Sequence, residues 1–211
     1  MPTQTQSVGI QFTETMKGYV AKGWSPPDDY AGADAAGKVS DARMDFLLTI
    51  TMQDLHAFLT SEEHAGIAVG KVTIAGFTSA AGAPVSNGVF NLFVAGDGPN
   101  SRKMLYALPF TGADGKPYLL DGFKDVRDHG NFDVWGSTST LYTVIREGHM
   151  RSGTIVATGI LNILLPDFMQ QLTTFRALGT NDPNEKVKAL GEFGGMFFGS
   201  LWEVFVKPHL P

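Results

Sequence analysis

Residues 8–20, VGIQFTETMKGYV, alternate between apolar and polar side chains along their whole length. Successive side chains of a β-strand point to opposite faces, so this alternation predicts a strand with one buried face. Glu14 is the exception, because it places a carboxylate on the same face as Phe12 and Met16. The stretch therefore indicates the fold class and supplies a first candidate for chemistry.

The same period-2 pattern recurs along the first three quarters of the chain. It predicts seven further strands, at about residues 42–51, 67–77, 84–95, 103–110, 117–124, 132–146 and 153–164. Short glycine-rich segments join most of them, which favours antiparallel hairpins between sequence neighbours. Eight strands in a meander expose two edges unless the sheet closes. The sequence thus predicts a mainly β fold, an eight-stranded antiparallel up-and-down barrel of the lipocalin-like kind, with a two-sheet sandwich as the alternative.

Helical periodicity interrupts the strands once and replaces them near the end of the chain. Residues 51–64 predict a short helix between strands, with Thr51 as a cap. A second helix is predicted to end at Gly179, and a third to begin after Asp182, its N-cap.

A single domain is expected over residues 1–211, because no Pro/Ser-rich linker divides the sequence and 43% of its residues are hydrophobic. The barrel is predicted at about residues 7–165 and a helical appendage at about 166–207. Residues 24–41 are rich in Pro, Gly, Ala and Asp and lack periodicity. They are predicted to form a long loop that is either mobile or a lid.

Composition and charge argue against nucleic acid as a partner and against a membrane span, and they indicate a cellular location. A net charge of -5, with scattered Lys and Arg, gives no basic field for nucleic acid. The absence of cysteine suits a reducing compartment, and the N-terminus lacks a signal-peptide pattern, so a cytoplasmic location is expected. The longest apolar run, GILNILLP at 159–166, is too short to cross a bilayer, so no membrane span is predicted.

Glu14 and Lys124 are the strongest chemical signals, because each puts a charge on the apolar face of a predicted strand. Such a charge must be paired, neutralised or placed in a wet cavity. In a barrel that face is the lumen, where Glu14 is a candidate partner for Lys124. The alternative for Glu14 is a position near a strand end, in contact with water or an arginine.

Other candidates for a ligand-binding site fall into two groups. Some are polar or aromatic residues on strand faces that are otherwise apolar, and the others lie on a strand that carries hydroxyls and aromatic rings on both faces. Convergence of a few polar groups in an apolar concavity is typical of small-molecule sites. The predicted ligand-binding residues are Phe12, Met16, Asn91, Phe93, Tyr106, Asp133, Trp135, Thr138 and Asn162. If the protein is an enzyme, the predicted catalytic residues are Glu14, Lys124 and Tyr142, with Tyr106 as an alternative to Tyr142.

Motifs for metals and cofactors are absent from the sequence. The five histidines show no paired ligand spacing, so no metal site is predicted. There is no phosphate-binding loop, nucleophile elbow or dinucleotide fingerprint, so no cofactor is predicted. The charged run at 125–129 is interpreted as a solvated hairpin turn.

Seven sequence blocks carry a family resemblance. They are FTETMKGYV (12–20), GVFNLFV (88–94), KMLYALPF (103–110), DGFKDVRDHGNFDVWGSTSTLYTVI (121–145), GILNI (159–163), DFMQQLTTFRALG (167–179) and FGSLW (198–202). In this order they resemble the accessory β-rich domain that accompanies GMC-type (cholesterol-oxidase-like) flavin oxidoreductases, and some hydrolases, in bacterial chains. The resemblance implies a stand-alone version, without the flavin-binding portion, that associates with sterol-like or other lipophilic molecules. It transfers no catalytic residues.

Three functional hypotheses follow. The first is a barrel that binds an apolar small molecule (lipid-, sterol- or polyketide-like) in its lumen. The second is a cofactor-independent isomerase or cyclase, with Glu14 as acid or base in the same lumen. The third is a module that docks on a protein partner, or on a second copy of itself, through its last helix, because MFFGSLWEVF at 196–205 is strongly apolar.

Overall fold

The computed structural model describes residues 7–97, 101–127 and 139–198. Within these ranges the strands are β1 Gly9–Lys22, β2 Arg43–Met52, β3 Ala65–Ile74, β4 Ala83–Ala95, β5 Ser101–Thr111, β6 Pro117–Arg127, β7 Thr140–Glu147, β8 Ile155–Asn162 and β9 Arg176–Leu178. Each strand from β1 to β8 pairs antiparallel with its sequence neighbour, and β8 pairs with β1. The sheet is therefore closed, and the predicted eight-stranded up-and-down barrel is confirmed.

β1 forms the seam of the barrel. It pairs with β8 only from Lys17 onward, and β9 pairs with its opposite end, at Gly9–Gln11. Between them, the Thr13 backbone N–H donates to the Thr174 hydroxyl at 2.8 Å. The segment that follows β8 thus completes the wall where β8 itself ends.

The described helices are α1 Tyr30–Val39, α2 Leu55–Thr60, α3 Leu165–Leu172 and α4 Pro183–Phe198. None of them is long and apolar enough to cross a membrane. The short helix predicted between strands is confirmed as α2. Its cap differs, because Asp54 accepts a hydrogen bond from the Ala57 N–H, whereas Thr51 belongs to β2.

The prediction of a long loop at 24–41 is wrong for most of its length, because this segment contains α1. Asp29 caps the helix by accepting a hydrogen bond from the Gly32 N–H at 3.0 Å. α1 packs on the outside of β1 and β8. Gly37 lies so close to the β1 backbone that an added Cβ would be 2.8 Å from the Val20 carbonyl oxygen. Packing against the barrel stabilises a glycine-containing helix that lacks a clear period in sequence.

The helix predicted to run to Gly179 also ends earlier. α3 ends at Leu172, where the hydroxyls of Thr173 and Thr174 donate to the carbonyls of Gln170 and Gln171. The chain then extends into β9. α4 begins as predicted, with the Asp182 carboxylate accepting from the Asn184 N–H at 2.9 Å, and the predicted continuation to 207 lies outside the described residues.

The hydrophobic core is the barrel lumen together with the end at which β1 begins. Phe58 of α2 and Phe193 of α4 cover this end, with their ring centroids 6.1 Å apart. Phe12, inside the barrel, stacks on Phe175 at 4.8 Å and lies 6.1 Å from Phe193. Fully burying a phenylalanine contributes about 1.5–3 kcal/mol, so this aromatic layer fixes the helices to the barrel.

Candidate functional site

A buried polar cluster crosses the lumen. It consists of Glu14 on β1, Tyr106 on β5 and Lys124 on β6, and is called the lumen triad below. Met104 is paired with Lys124, and Tyr106 with Gly122, so Tyr106 and Lys124 are neighbours on one inner face. β1 pairs with neither β5 nor β6, so Glu14 reaches them across the interior. Barrel closure therefore assembles the triad from distant parts of the sequence.

Both carboxylate oxygens of Glu14 accept a hydrogen bond. Lys124 Nζ donates to Oε1 at 2.8 Å, and the Tyr106 hydroxyl donates to Oε2 at 2.8 Å. The side chains of Glu14 and Lys124 are each only 2% exposed. The expected ion pair is thus present, and it is shielded from solvent.

Tyr106 is held in its protonated form. Burial, reinforced by the charge of Glu14 and by the hydrogen bond to it, raises the pKa of Tyr106 well above 10. Its ring lies 5.3 Å from Lys124 Nζ, within range of a cation–π contact. Tyr106 therefore acts as a hydrogen-bond donor to Glu14 and as an aromatic neighbour of the ammonium group.

Lys124 is the charged hydrogen-bond donor of the lumen triad. An ammonium group carries three N–H donors, and Glu14 is the hydrogen-bond acceptor of Nζ within the described part of the chain. The rings of Phe46 and Phe90 lie against Tyr106, with centroids at 5.9 and 5.1 Å, so the surroundings are mainly apolar. The ammonium group of Lys124 is thus a buried charged donor, paired with Glu14 in mainly apolar surroundings.

The structure places Phe12 and Met16 on the lumen face with the triad, both almost completely buried. Phe93 lies at a β-bulge of β4, with φ of 52°, and its ring is 6.2 Å from that of Phe197. It belongs to the end of the barrel covered by α4. The predicted residues Asp133, Trp135 and Thr138 lie outside the described residues.

Asn91 and Asn162 do not line the lumen. Asn91 Nδ2 donates to the Glu63 carbonyl at 3.0 Å, and Asn162 Oδ1 accepts from the Thr140 hydroxyl at 3.2 Å, both on the outer face. The lumen positions beside them are Leu92 and Leu161, both fully buried. Both faces of β4 and β8 carry apolar residues here, so alternation alone could not show which face is inside.

Tyr142 also lies on the outer face, away from Glu14. Its ring is 5.2 Å from Tyr30 of α1 and 5.4 Å from Phe123 of β6. The position predicted for it beside Glu14 is occupied by Tyr106. Tyr142 is paired with Phe123 in the sheet, and Gly122 next to it is paired with Thr143, whose side chain is buried.

The aromatic rings of Tyr30 and Phe123 border a groove on the outside of the barrel, with a volume of about 330 Å³. Asp121 lies in it between two guanidinium groups, 3.0 Å from Arg146 Nε and 3.0 Å from Arg151 Nε. Burial, and then the charge of Asp121, raises the pKa of Tyr30. Sequence analysis missed this groove, because α1 and the strands that form it meet only in the tertiary structure.

Among the described residues, no group of three or more His, Asp or Glu side chains is arranged to hold a metal ion. Comparisons of the chain with protein-family models, with curated proteins and with solved structures each found no match. The lumen triad and its surroundings are the features of this chain that bear on its function.

Proposed function

We propose that the barrel binds an apolar small molecule in its lumen and that the lumen triad contacts the polar end of that molecule. The observation that carries this proposal is the buried ion pair of Glu14 and Lys124, joined by Tyr106, in a mainly apolar lumen. An ammonium group carries three N–H donors, so a ligand oxygen can accept a hydrogen bond from Lys124 Nζ beside Glu14.

Stability alone gives little reason for this arrangement. Replacing a buried ion pair by apolar residues of similar volume is often neutral or stabilising, by about 1–4 kcal/mol. In an apolar lumen, however, the ion pair offers a polar contact that can orient a ligand and select its functional group. Phe12 and Met16 offer apolar contact along the same lumen face.

The ligand class that suits this site is lipid-, sterol- or polyketide-like, with a carbonyl, carboxylate or hydroxyl oxygen at one end. The resemblance to the accessory domain of GMC-type oxidoreductases supports a sterol-like or other lipophilic molecule. We propose that this chain is related to that domain.

Displacement of a hydrophobic fluorescent dye by fatty acids, sterols and long-chain alcohols tests the proposal. Micromolar displacement is expected, and it should weaken in the Glu14→Gln/Lys124→Met double variant. The matched control replaces the ion pair of Lys17 and Asp167, outside the lumen triad, in the same way and should displace like the wild type. If no hydrophobic compound displaces the dye at micromolar concentration, the proposal fails.

The second candidate is a cofactor-independent isomerase or cyclase that uses Glu14 as acid or base. The observation that favours it is the position of this carboxylate, desolvated and oriented by two donors. Lys124 and Tyr106 would stabilise negative charge on a bound substrate. Unchanged turnover of an identified substrate by Glu14→Gln would exclude this role.

Docking on a protein partner or a second copy stays a prediction. In the described part of α4, Phe193 is fully buried against the barrel, whereas Val187 is 46% exposed. Size-exclusion profiles of the full chain and of a chain truncated after Gly179 test this hypothesis, which two monomeric profiles would contradict.

A further inference from the structure

We propose that Lys124 forms an imine with an aldehyde or ketone group of the lumen ligand, an inference that rests on the proposed function. Lys124 is the one buried lysine in the described part of the chain. A bulk-exposed lysine amine is hydrated, whereas an amine in an apolar pocket is desolvated and can serve as a covalent nucleophile. The site therefore selects for a carbonyl compound among apolar molecules.

An amine must lose a proton before it attacks a carbonyl carbon, and the lumen triad supplies the acceptor. Glu14 Oε1 is 2.8 Å from Lys124 Nζ, within direct proton-transfer distance. The Tyr106 hydroxyl donates to the other carboxylate oxygen, at 2.8 Å, which fixes the direction in which Oε1 points. Glu14 is therefore placed to accept protons from Nζ and to return them to the ligand oxygen.

The reaction balances without an oxidant or a reductant. Nζ transfers a proton to Glu14. The lone pair left on Nζ then forms a bond to the carbonyl carbon as the carbonyl π-bond breaks, and the carbonyl oxygen takes the proton from Glu14. A second proton passes from Nζ through Glu14 to the same oxygen. The C–O bond then breaks, water leaves, and a protonated C=N bond forms. Nζ keeps its third proton.

The product preserves the electrostatics of the site. The protonated imine carries its positive charge where the ammonium group had it, and Glu14 ends the sequence ionised, as the counter-ion. The cation–π contact of Nζ with Tyr106, at 5.3 Å, is available to both species. Imine formation thus exchanges one buried cation for another, with no new unpaired charge.

The test uses decanal as the probe and sodium cyanoborohydride to reduce any imine to a stable amine. Intact-mass measurement counts the adducts, and peptide mapping assigns them to lysines. Lys124 is expected to be labelled on the order of 10-fold faster than the exposed lysines, because binding holds the aldehyde next to Nζ. Lys17, half exposed in its pair with Asp167, is the internal comparison.

Two variants and one further ligand separate the outcomes. The Glu14→Gln/Lys124→Met double variant should lose the fast adduct, while Lys17→Met should keep it. 1-Decanol, which has the same chain but no carbonyl group, should displace the hydrophobic dye without forming an adduct. Displacement by decanol together with decanal labelling of exposed lysines alone would overturn the imine and leave the proposed binding function standing. Failure of both compounds to displace the dye would overturn both.

Discussion

Replacing Lys124 by methionine removes the cation from a carboxylate that is 2% exposed. Two unit charges 2.8 Å apart interact by about 6 kcal/mol at an effective dielectric constant of 20. The free-energy cost of desolvating both groups offsets much of this attraction. In the variant the cost of desolvating Glu14 remains, because its carboxylate stays buried without a partner. Breaking one partner of a buried pair costs about 3–5 kcal/mol. The Lys124→Met variant should therefore lose a large part of a total stability of about 5–15 kcal/mol.

The double variant Glu14→Gln/Lys124→Met distinguishes an unpaired charge from lost packing. It removes both charges, and the glutamine oxygen can still accept from the Tyr106 hydroxyl. We expect it to be more stable than Lys124→Met by about 2 kcal/mol or more. A cavity or a steric clash at position 124 would be present in both variants and would give no such recovery.

Urea unfolding of the wild type, both single variants and the double variant gives the coupling free energy, provided that the m-values agree. The same cycle at the solvent-exposed pair Lys188–Glu192 is the control, where about 0–1 kcal/mol is expected. Additive effects of Glu14→Gln and Lys124→Met would refute the reasoning, because they would mean that the two side chains do not depend on each other.

Three further predictions concern other parts of the structure. The raised pKa of Tyr106 means that the native state keeps a proton that the unfolded chain releases above pH 10. The resulting contribution to the free energy of unfolding is therefore complete below pH 10 and declines as pH rises further. In urea titrations, the free energy of unfolding of Tyr106→Phe should therefore fall less than that of the wild type between about pH 9 and about pH 11. An equal fall in both proteins over this pH range would contradict the prediction. Phe193→Ala should cost about 3–5 kcal/mol in thermal unfolding, whereas Val187→Ala on the exposed side of α4 should stay within about 0.5 kcal/mol. Asp29→Ala should cost about 1 kcal/mol and speed amide exchange in α1, whereas Asp28→Ala, outside the cap, should leave exchange unchanged.

The candidate site was predictable only in part. Alternation placed Phe12, Glu14 and Met16 on one face, and the same argument singled out Lys124, so two members of the lumen triad followed from local pattern. The third, Tyr106, was expected among the ligand-binding residues. Tyr142 was assigned to the same site but lies outside the barrel, because the period of two gives two faces and does not say which of them is enclosed when both carry apolar side chains.

The helices show the same limit. α2 and the start of α4 followed from apolar stripes and caps, which are local features. α1 was missed because its glycines and alanines form no stripe, and Gly37 has its place only against the β1 backbone. The early end of α3 depends on Thr174, whose hydroxyl bonds to both Gln171 and Thr13 across the seam.

By itself the sequence determined that the chain forms antiparallel strands in a meander and that two charges lie on the apolar faces of strands, and it favoured a closed barrel over a two-sheet sandwich. These properties depend on side-chain alternation and on turn residues, which act over a few neighbouring positions. Only the tertiary structure decided that Glu14 meets Tyr106 and Lys124, which are 92 and 110 positions away in sequence. Hydrogen bonds across a lumen depend on how the closed sheet brings opposite walls together, and that geometry is a property of the whole barrel.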